Sequence, residues 1–167
     1  MQMPLLISSL LVHAERHHGE QQIVSRRVEG DIHRMTYREL AARARRMANA
    51  LSGLGLATSD RVATLAWNGH RHLELYYAVS GSGAVLHTVN PRLFPDQIAF
   101  ILKDAADTHL FVDPTLMAGA EALADRLPDS LRTIVVMGTE ADIPADCPLR
   151  GRFEVVAQES LLEGQPT

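Results

Sequence analysis

GAVLHTVNPRLFPDQIAFILKDA, residues 83–105, holds an apolar run, an abrupt break and a helical pattern in direct succession. Ala84 to Val89 suits a buried strand. Asn90-Pro91-Arg92 ends it, because Pro91 fixes its own φ and offers no N–H, and Asn90 readily turns a chain. After Pro95, at the tolerated first helical position, Ile98, Ile101, Leu102 and Ala105 fall on one face of a helix ending near Ala105. A strand followed at once by an amphipathic helix is half of a β-α-β unit. Whether it repeats decides the fold.

It does repeat. Upstream, Val62 to Ala66 reads as a strand and His70 to Gly81 as a helix apolar on nearly all sides. Downstream, His109 to Val112 is a strand, Asp113-Pro114 opens a helix to about Leu127, and Thr133 to Met137 is a further strand. A weak strand follows at Phe153 to Val156. Alternation at this spacing predicts parallel pairing with right-handed crossovers. Before this block, Ser8 to His18 puts Leu10, Leu11 and Ala14 on one side of a short helix. Ile23-Val24 and Ile32 to Met35 flank Glu29-Gly30-Asp31, a hairpin pattern. Thr36-Tyr37-Arg38-Glu39 matches a capping box opening a helix with the stripe Leu40, Ala44, Met47, Leu51 and Leu54, stopped at Gly53 or Gly55. The expected fold class is α/β: a mainly parallel sheet of about four to five strands flanked by helices, with a small N-terminal β-hairpin. Residues 138–167, including TEADIPADCPLRGR, read as a loop-rich segment.

Composition narrows the function classes. The 167 residues fit one domain, and a chain of that size buries a core without staples. A net charge of -4 argues against nucleic acid, which selects a clustered basic excess. A single cysteine, Cys147, excludes an intrachain disulfide and suits a reducing compartment, so a cytoplasmic location is expected. PLLISSLLV, residues 4–12, lacks a preceding basic run and falls short of the ~20 residues a bilayer span requires, so no transmembrane segment is expected.

On a helix, His70 and Glu74 share a flank while His72 points nearly opposite, so HRHLE does not converge on a metal. His17-His18 reads as an exposed helix end. Gly81-Ser82-Gly83 lacks the third glycine of a dinucleotide turn and precedes a strand instead of following one, so it reads as a helix stop with close packing. Arg38, Arg45 and Arg46 oppose the apolar stripe of their helix, as on a solvated face. No nucleophile turn or P-loop occurs, and Cys147 sits in a Pro-rich loop without an adjacent base. One side of the His70–Gly81 helix carries Leu73, Tyr76 and Tyr77, and the other Leu75, Ala78 and Val79. A sheet covers one side only, so the other is expected to need a second partner from outside these residues.

Whole stretches carry more. VSRRVEGDIHRMTYREL, DRVATLAWN, LELYYAVSGSGAVLHTVNPRL and IAFILKDAADTHLFVD together resemble the N-terminal region of AMP-forming acyl-CoA synthetases, nearest to the fatty-acyl-CoA ligases. The resemblance runs from about Pro4 to Leu162 in order and without a large gap. It implies that residues 1–167 are the first α/β subdomain of a ligase's large N-terminal domain, with 138–167 leading toward an ATP-binding part. It further implies a parent that uses ATP, Mg2+ and coenzyme A to turn a fatty acid into its acyl-CoA through an acyl-adenylate, and that forms a homodimer. In that family a Ser/Thr/Gly-rich loop ending in Pro-Lys-Gly grips the phosphates, and it is not among these residues. The resemblance therefore places no catalytic, cofactor-binding or metal-ligating residue here, and these residues alone are expected to be inert and to bind no cofactor. Asn90-Pro91-Arg92 matches a family motif on which the chemistry does not rest; Arg92 is expected to pin a neighbouring loop or subunit. Two alternatives stand beside this reading: an aryl or short-chain acid–CoA ligase, and a free-standing non-catalytic dimerisation module.

Overall fold

The computed structural model describes Pro4 and residues 6–167. The opening residues of the expected 1–167 unit, and Leu5 within the apolar stretch 4–12, lie outside the described residues. The chain runs α1 (Ile7–His18), β1 (Gln22–Arg26), β2 (Ile32–Thr36), α2 (Tyr37–Gly53), β3 (Arg61–Leu65), α3 (His70–Gly81), β4 (Val85–Val89) and α4 (Pro95–Asp104). It continues through β5 (His109–Val112), α5 (Met117–Glu121), β6 (Thr133–Val136), β7 (Glu154–Ala157) and α6 (Gln158–Leu162).

β3 to β7 form one wholly parallel sheet in the order β4-β3-β5-β6-β7, and β1-β2 form a separate antiparallel hairpin with Arg26 opposite Ile32. β5 and β6 lie inside the sheet, and all four residues of each are buried, as strands covered on both faces must be. Alternation along β5 divides the core. Leu110 and Val112 face α4 and α5 with Leu65, Ile98, Leu102, Ile134 and Val136, while Phe111 faces α2 and α3 with Met47, Leu51, Leu75 and Val79.

A third cluster joins Leu11 of α1, Met35 of β2 and Leu40, Ala41 and Ala44 of α2, with Leu73 and Tyr77 of α3 packed onto it. This corrects the expectation for α3. Its second side is covered from within the chain by α1, α2 and the hairpin, and only Tyr76 stays well exposed there, at 41%.

Three further expectations change. The stretch from Asp113 to about Leu127 is not one helix; a 3-10 turn at Pro114–Leu116, α5 and a second 3-10 turn at Ala124–Arg126 replace it. Gly119 sits mid-segment, where glycine costs about 1 kcal/mol relative to alanine. α6 arises where a loop was expected, fixed by buried Gln158 and Leu162. In α1, Leu11 is buried but Leu10 is 63% exposed. Gly81 ends α3 as expected, with Gly83 at a φ of +77°, yet Gly81 has open space around it and no close packing.

The capping box is present. The Glu39 N–H donates to Thr36 Oγ1 over 3.2 Å, and the Glu39 carboxylate accepts the Thr36 N–H at 2.6 Å. That backbone contact holds the Glu39 carboxyl below its ordinary value. Thr36→Ala should cost about 0.5–2 kcal/mol and Thr36→Ser far less, because the serine hydroxyl can take the same bond. Urea midpoints decide it: equal losses for the two variants would remove Thr36 from the cap.

Candidate functional site

Every strand of the large sheet points its carboxyl end the same way. The chain leaves β3 for β4 on one side and then for β5 on the other, so the connections diverge between β3 and β5. In open α/β sheets that divergence leaves a crevice outside the carboxyl ends, where ligands are bound. Here a pocket of about 220 Å³ lies at this position. Its walls include Trp67 and Gly69 after β3, His72 of α3, Asp113 after β5 and Met137 after β6, and Arg26 at the end of β1 closes one side.

Asn90-Pro91-Arg92 lies next to this crevice. The Asn90 Oδ1 accepts the Arg92 N–H at 3.0 Å and the Asn90 carbonyl accepts the Leu93 N–H at 3.2 Å, so the tripeptide is a turn. The turn places the Arg92 guanidinium 5.8 Å from the centroid of the Trp67 ring. Trp67 Nε1 donates to Thr115 Oγ1 at 3.1 Å, and that hydroxyl donates to Asp113 Oδ1 at 2.9 Å. The exits of β4, β3 and β5 are thereby tied together, and Arg92 pins a loop of its own chain.

The HRHLE side chains take separate partners. His70, 4% exposed, stacks on His33 of β2 at 3.9 Å between centroids. His72 Nε2 meets Thr64 Oγ1 at 3.0 Å. Glu74, with no exposed surface, is gripped by Arg43, whose Nε and Nη2 donate to its two oxygens at 2.6 and 3.2 Å. Among the described residues no group of three or more His, Cys, Asp or Glu side chains is placed to hold a metal ion. Burial lowers the imidazoles of His70 and His72, the former to about 3. His17 and His18 are exposed at the end of α1. Arg38 and Arg45 pair with Glu20 and Glu15 on the surface.

Arg43, Arg71 and Glu159 were not singled out from the sequence. Arg43 Nη2 also donates to Glu159 at 3.0 Å, Arg71 Nε donates to Glu159 at 2.9 Å, and Arg71 Nη1 donates to Glu29 at 2.8 Å. Gln158 Nε2 adds a bond to Glu74 at 3.1 Å. Five charged side chains thus link α2, α3, α6 and the hairpin turn. Burial pushes the Glu74 carboxyl up against the pull of Arg43; at Glu159 burial is outweighed by Arg71 and Arg43, which leave it lowered. A glutamate inside a helix apolar on nearly all sides needs a buried cation, and that was the available sign.

Comparison with known proteins follows the same outline. A model of the AMP-binding enzyme family matches residues 11–158. The chain is 51% identical over 138 residues to a 3-methylmercaptopropionyl-CoA ligase of Ruegeria lacuscaerulensis, covering 83% of this chain and 25% of that protein. It is 40% identical over 148 residues to a medium-chain-fatty-acid–CoA ligase of Ectopseudomonas oleovorans, covering 89% of this chain and 27% of that one. Among solved structures, a putative long-chain-fatty-acid CoA ligase of Rhodopseudomonas palustris superposes with a TM-score of 0.76 at 25% identity, over 99% of this chain and 38% of that chain. The chain spans about a quarter of the length of these curated relatives.

Proposed function

Because the chain belongs to the AMP-binding enzyme family, we propose that it forms the first subdomain of an ATP-dependent acyl-CoA ligase acting on a fatty acid. The observation that carries this is the 51% identity to a ligase of a linear thioether acid, joined by matches to medium- and long-chain fatty-acid ligases. Such a ligase activates the acid with ATP and Mg2+ and then transfers the acyl group to coenzyme A. The present residues do not fit the family's phosphate grip: none of the turns after β3 to β7 is a Ser/Thr/Gly-rich loop ending in Pro-Lys-Gly. The proposed task of this subdomain is to hold the crevice, the Trp67–Arg92 pair and the charged network in place, with residues 138–167 leading toward the ATP-binding part. Alone it is proposed to be inert.

A cytoplasmic setting fits the lone, buried Cys147, and no described helix is long and apolar enough to cross a membrane. A homodimer is part of the proposal, supported by the exposed Ile7 and Leu10 on α1 and Val24 and Ile32 on the hairpin.

The test joins these residues to the remainder of the ligase and follows pyrophosphate release and thioester formation. A medium-chain fatty acid is expected to be at least about tenfold better in kcat/KM than benzoate, a difference of about 1.4 kcal/mol in transition-state binding. Preference for benzoate would move the assignment to aryl acids, and absence of pyrophosphate release would end it. The 167 residues alone should release none.

A further inference from the structure

α1 ends in LVHAERHH, residues 11–18, in which His13 and His17 stand four positions apart. Four residues advance a helix by little more than one turn, so both side chains leave the same face, one above the other. Their ring centroids are 4.6 Å apart. Two imidazoles bound to one metal ion at about 2.0–2.1 Å, each with about 1.1 Å from nitrogen to ring centre, hold their centroids about 4.4–5.2 Å apart at a right or tetrahedral angle. The pair therefore stands at chelating separation. His18 does not belong to it. Its centroid is 5.7 Å from that of His13, and on a helix it lies about 140° round from that residue.

The surroundings leave these two rings to act alone. Both are exposed, and the nearby carboxylates are taken: Glu15 pairs with Arg45 and Glu20 with Arg38. The five histidines outside α1 are buried or half-buried, and each meets a partner. His33 and His70 stack on one another, His72 meets Thr64, His87 meets Asp107 and His109 meets Thr108. The pair also lies at the carboxyl end of α1, where the helix dipole favours a cation. Arg16 is exposed on the same turn and opposes a cation, which keeps the affinity moderate.

We propose that His13 and His17 form a binding site for a late first-row divalent metal ion, of the Zn2+ and Cu2+ class, with water in its remaining positions. Imidazole suits those ions, whereas Mg2+ takes oxygen ligands, so the site is distinct from the Mg2+ of the proposed ligation and stands independently of that reading.

Titrating the chain with ZnCl2 in a non-chelating buffer, followed by calorimetry and by the imidazole proton resonances, should show one saturable site with Kd of about 10–100 µM. CuCl2 should bind at least about tenfold tighter, and MgCl2 should not bind there. His13→Ala and His17→Ala should each weaken Zn2+ binding at least about tenfold, and His18→Ala less than about twofold. Val12→His combined with His13→Val keeps the composition but sets the pair five positions apart, about 140° round the helix, and should lose as much as His17→Ala. Val12 is exposed, so this exchange leaves the core untouched. Because the pair is assembled by the helix, saturating Zn2+ should raise the urea midpoint of the wild-type chain and not that of the exchanged one. Equal weakening by the three alanine variants, or full binding by the exchanged chain, overturns the site in favour of adventitious binding by loose imidazoles. No saturable binding by about 1 mM Zn2+ overturns it outright.

Discussion

Arg43→Ala should destabilise the chain by about 3–5 kcal/mol, because it leaves the Glu74 carboxylate buried without its counter-charge. Glu74 has no exposed surface, and after the substitution its one remaining donor is Gln158. Arg45→Ala, two residues along the same helix, breaks a surface pair with Glu15 and should cost about 0–1 kcal/mol. The double variant Arg43→Met with Glu74→Leu should recover most of the loss, since an apolar pair needs no counter-charge. Burial raises the Glu74 carboxyl, so in Arg43→Ala the ionised form is penalised, and the variant's deficit relative to the wild-type chain should shrink as pH falls. Urea unfolding at two pH values reads all of this. If Arg43→Ala and Arg45→Ala cost the same, the network does not stabilise the fold.

Acidification should destabilise the chain in a window above the carboxylate range, and His70 is the reason. Burial, reinforced by His33, Arg71 and Arg43, lowers its imidazole from 6.5 to about 3. A pKa depressed on folding means that the neutral ring is the form the native state holds. Its contribution is complete above pH 6.5 and is lost as pH falls from there toward 3, at about 1.4 kcal/mol per pH unit. His33, stacked against it, is lowered by burial too and adds in the same direction. By pH 5 the loss should reach about 2 kcal/mol, before most carboxylates begin to protonate. His70→Gln removes its own share of the titration and should make the stability curve shallower between about pH 6.5 and 5, with His33, His72 and His109, all lowered by burial, keeping part of the slope. A wild-type midpoint unchanged across that interval would sink the assignment.

The alternation of strands and helices was legible because period-2 and period-3.6 patterns are local properties of the chain. So was the Thr36–Glu39 cap, which needs only four consecutive residues. Strand order was not legible, because the placement of β5 beside β3 depends on contacts between distant segments. The second cover of α3 was misassigned for a related reason: Leu73 and Tyr77 need a partner, and nothing local says that Leu11 and Leu40 provide it. α6 was missed because five residues give a periodic pattern little room, and its position rests on buried Gln158. Of the candidate site, the Asn90 turn could be read, but the crevice could not. It is assembled from β1, the β3–α3 turn and the ends of β5 and β6, which meet only in three dimensions.

Arg43 and Glu159 stand 116 positions apart, and that separation sets an order of events during synthesis and folding. The hairpin, α2 and α3 can associate early, through contacts between neighbouring segments. The charged cluster waits for α6, which follows every strand of the sheet in chain order. A contact closing so long a loop forms late, after the folding transition state has committed most of the sheet. Loss of Arg43 should therefore appear mainly as faster unfolding, with the refolding rate nearly unchanged. In these terms the cluster acts as a latch on the lifetime of the fold, closed by its last described helix.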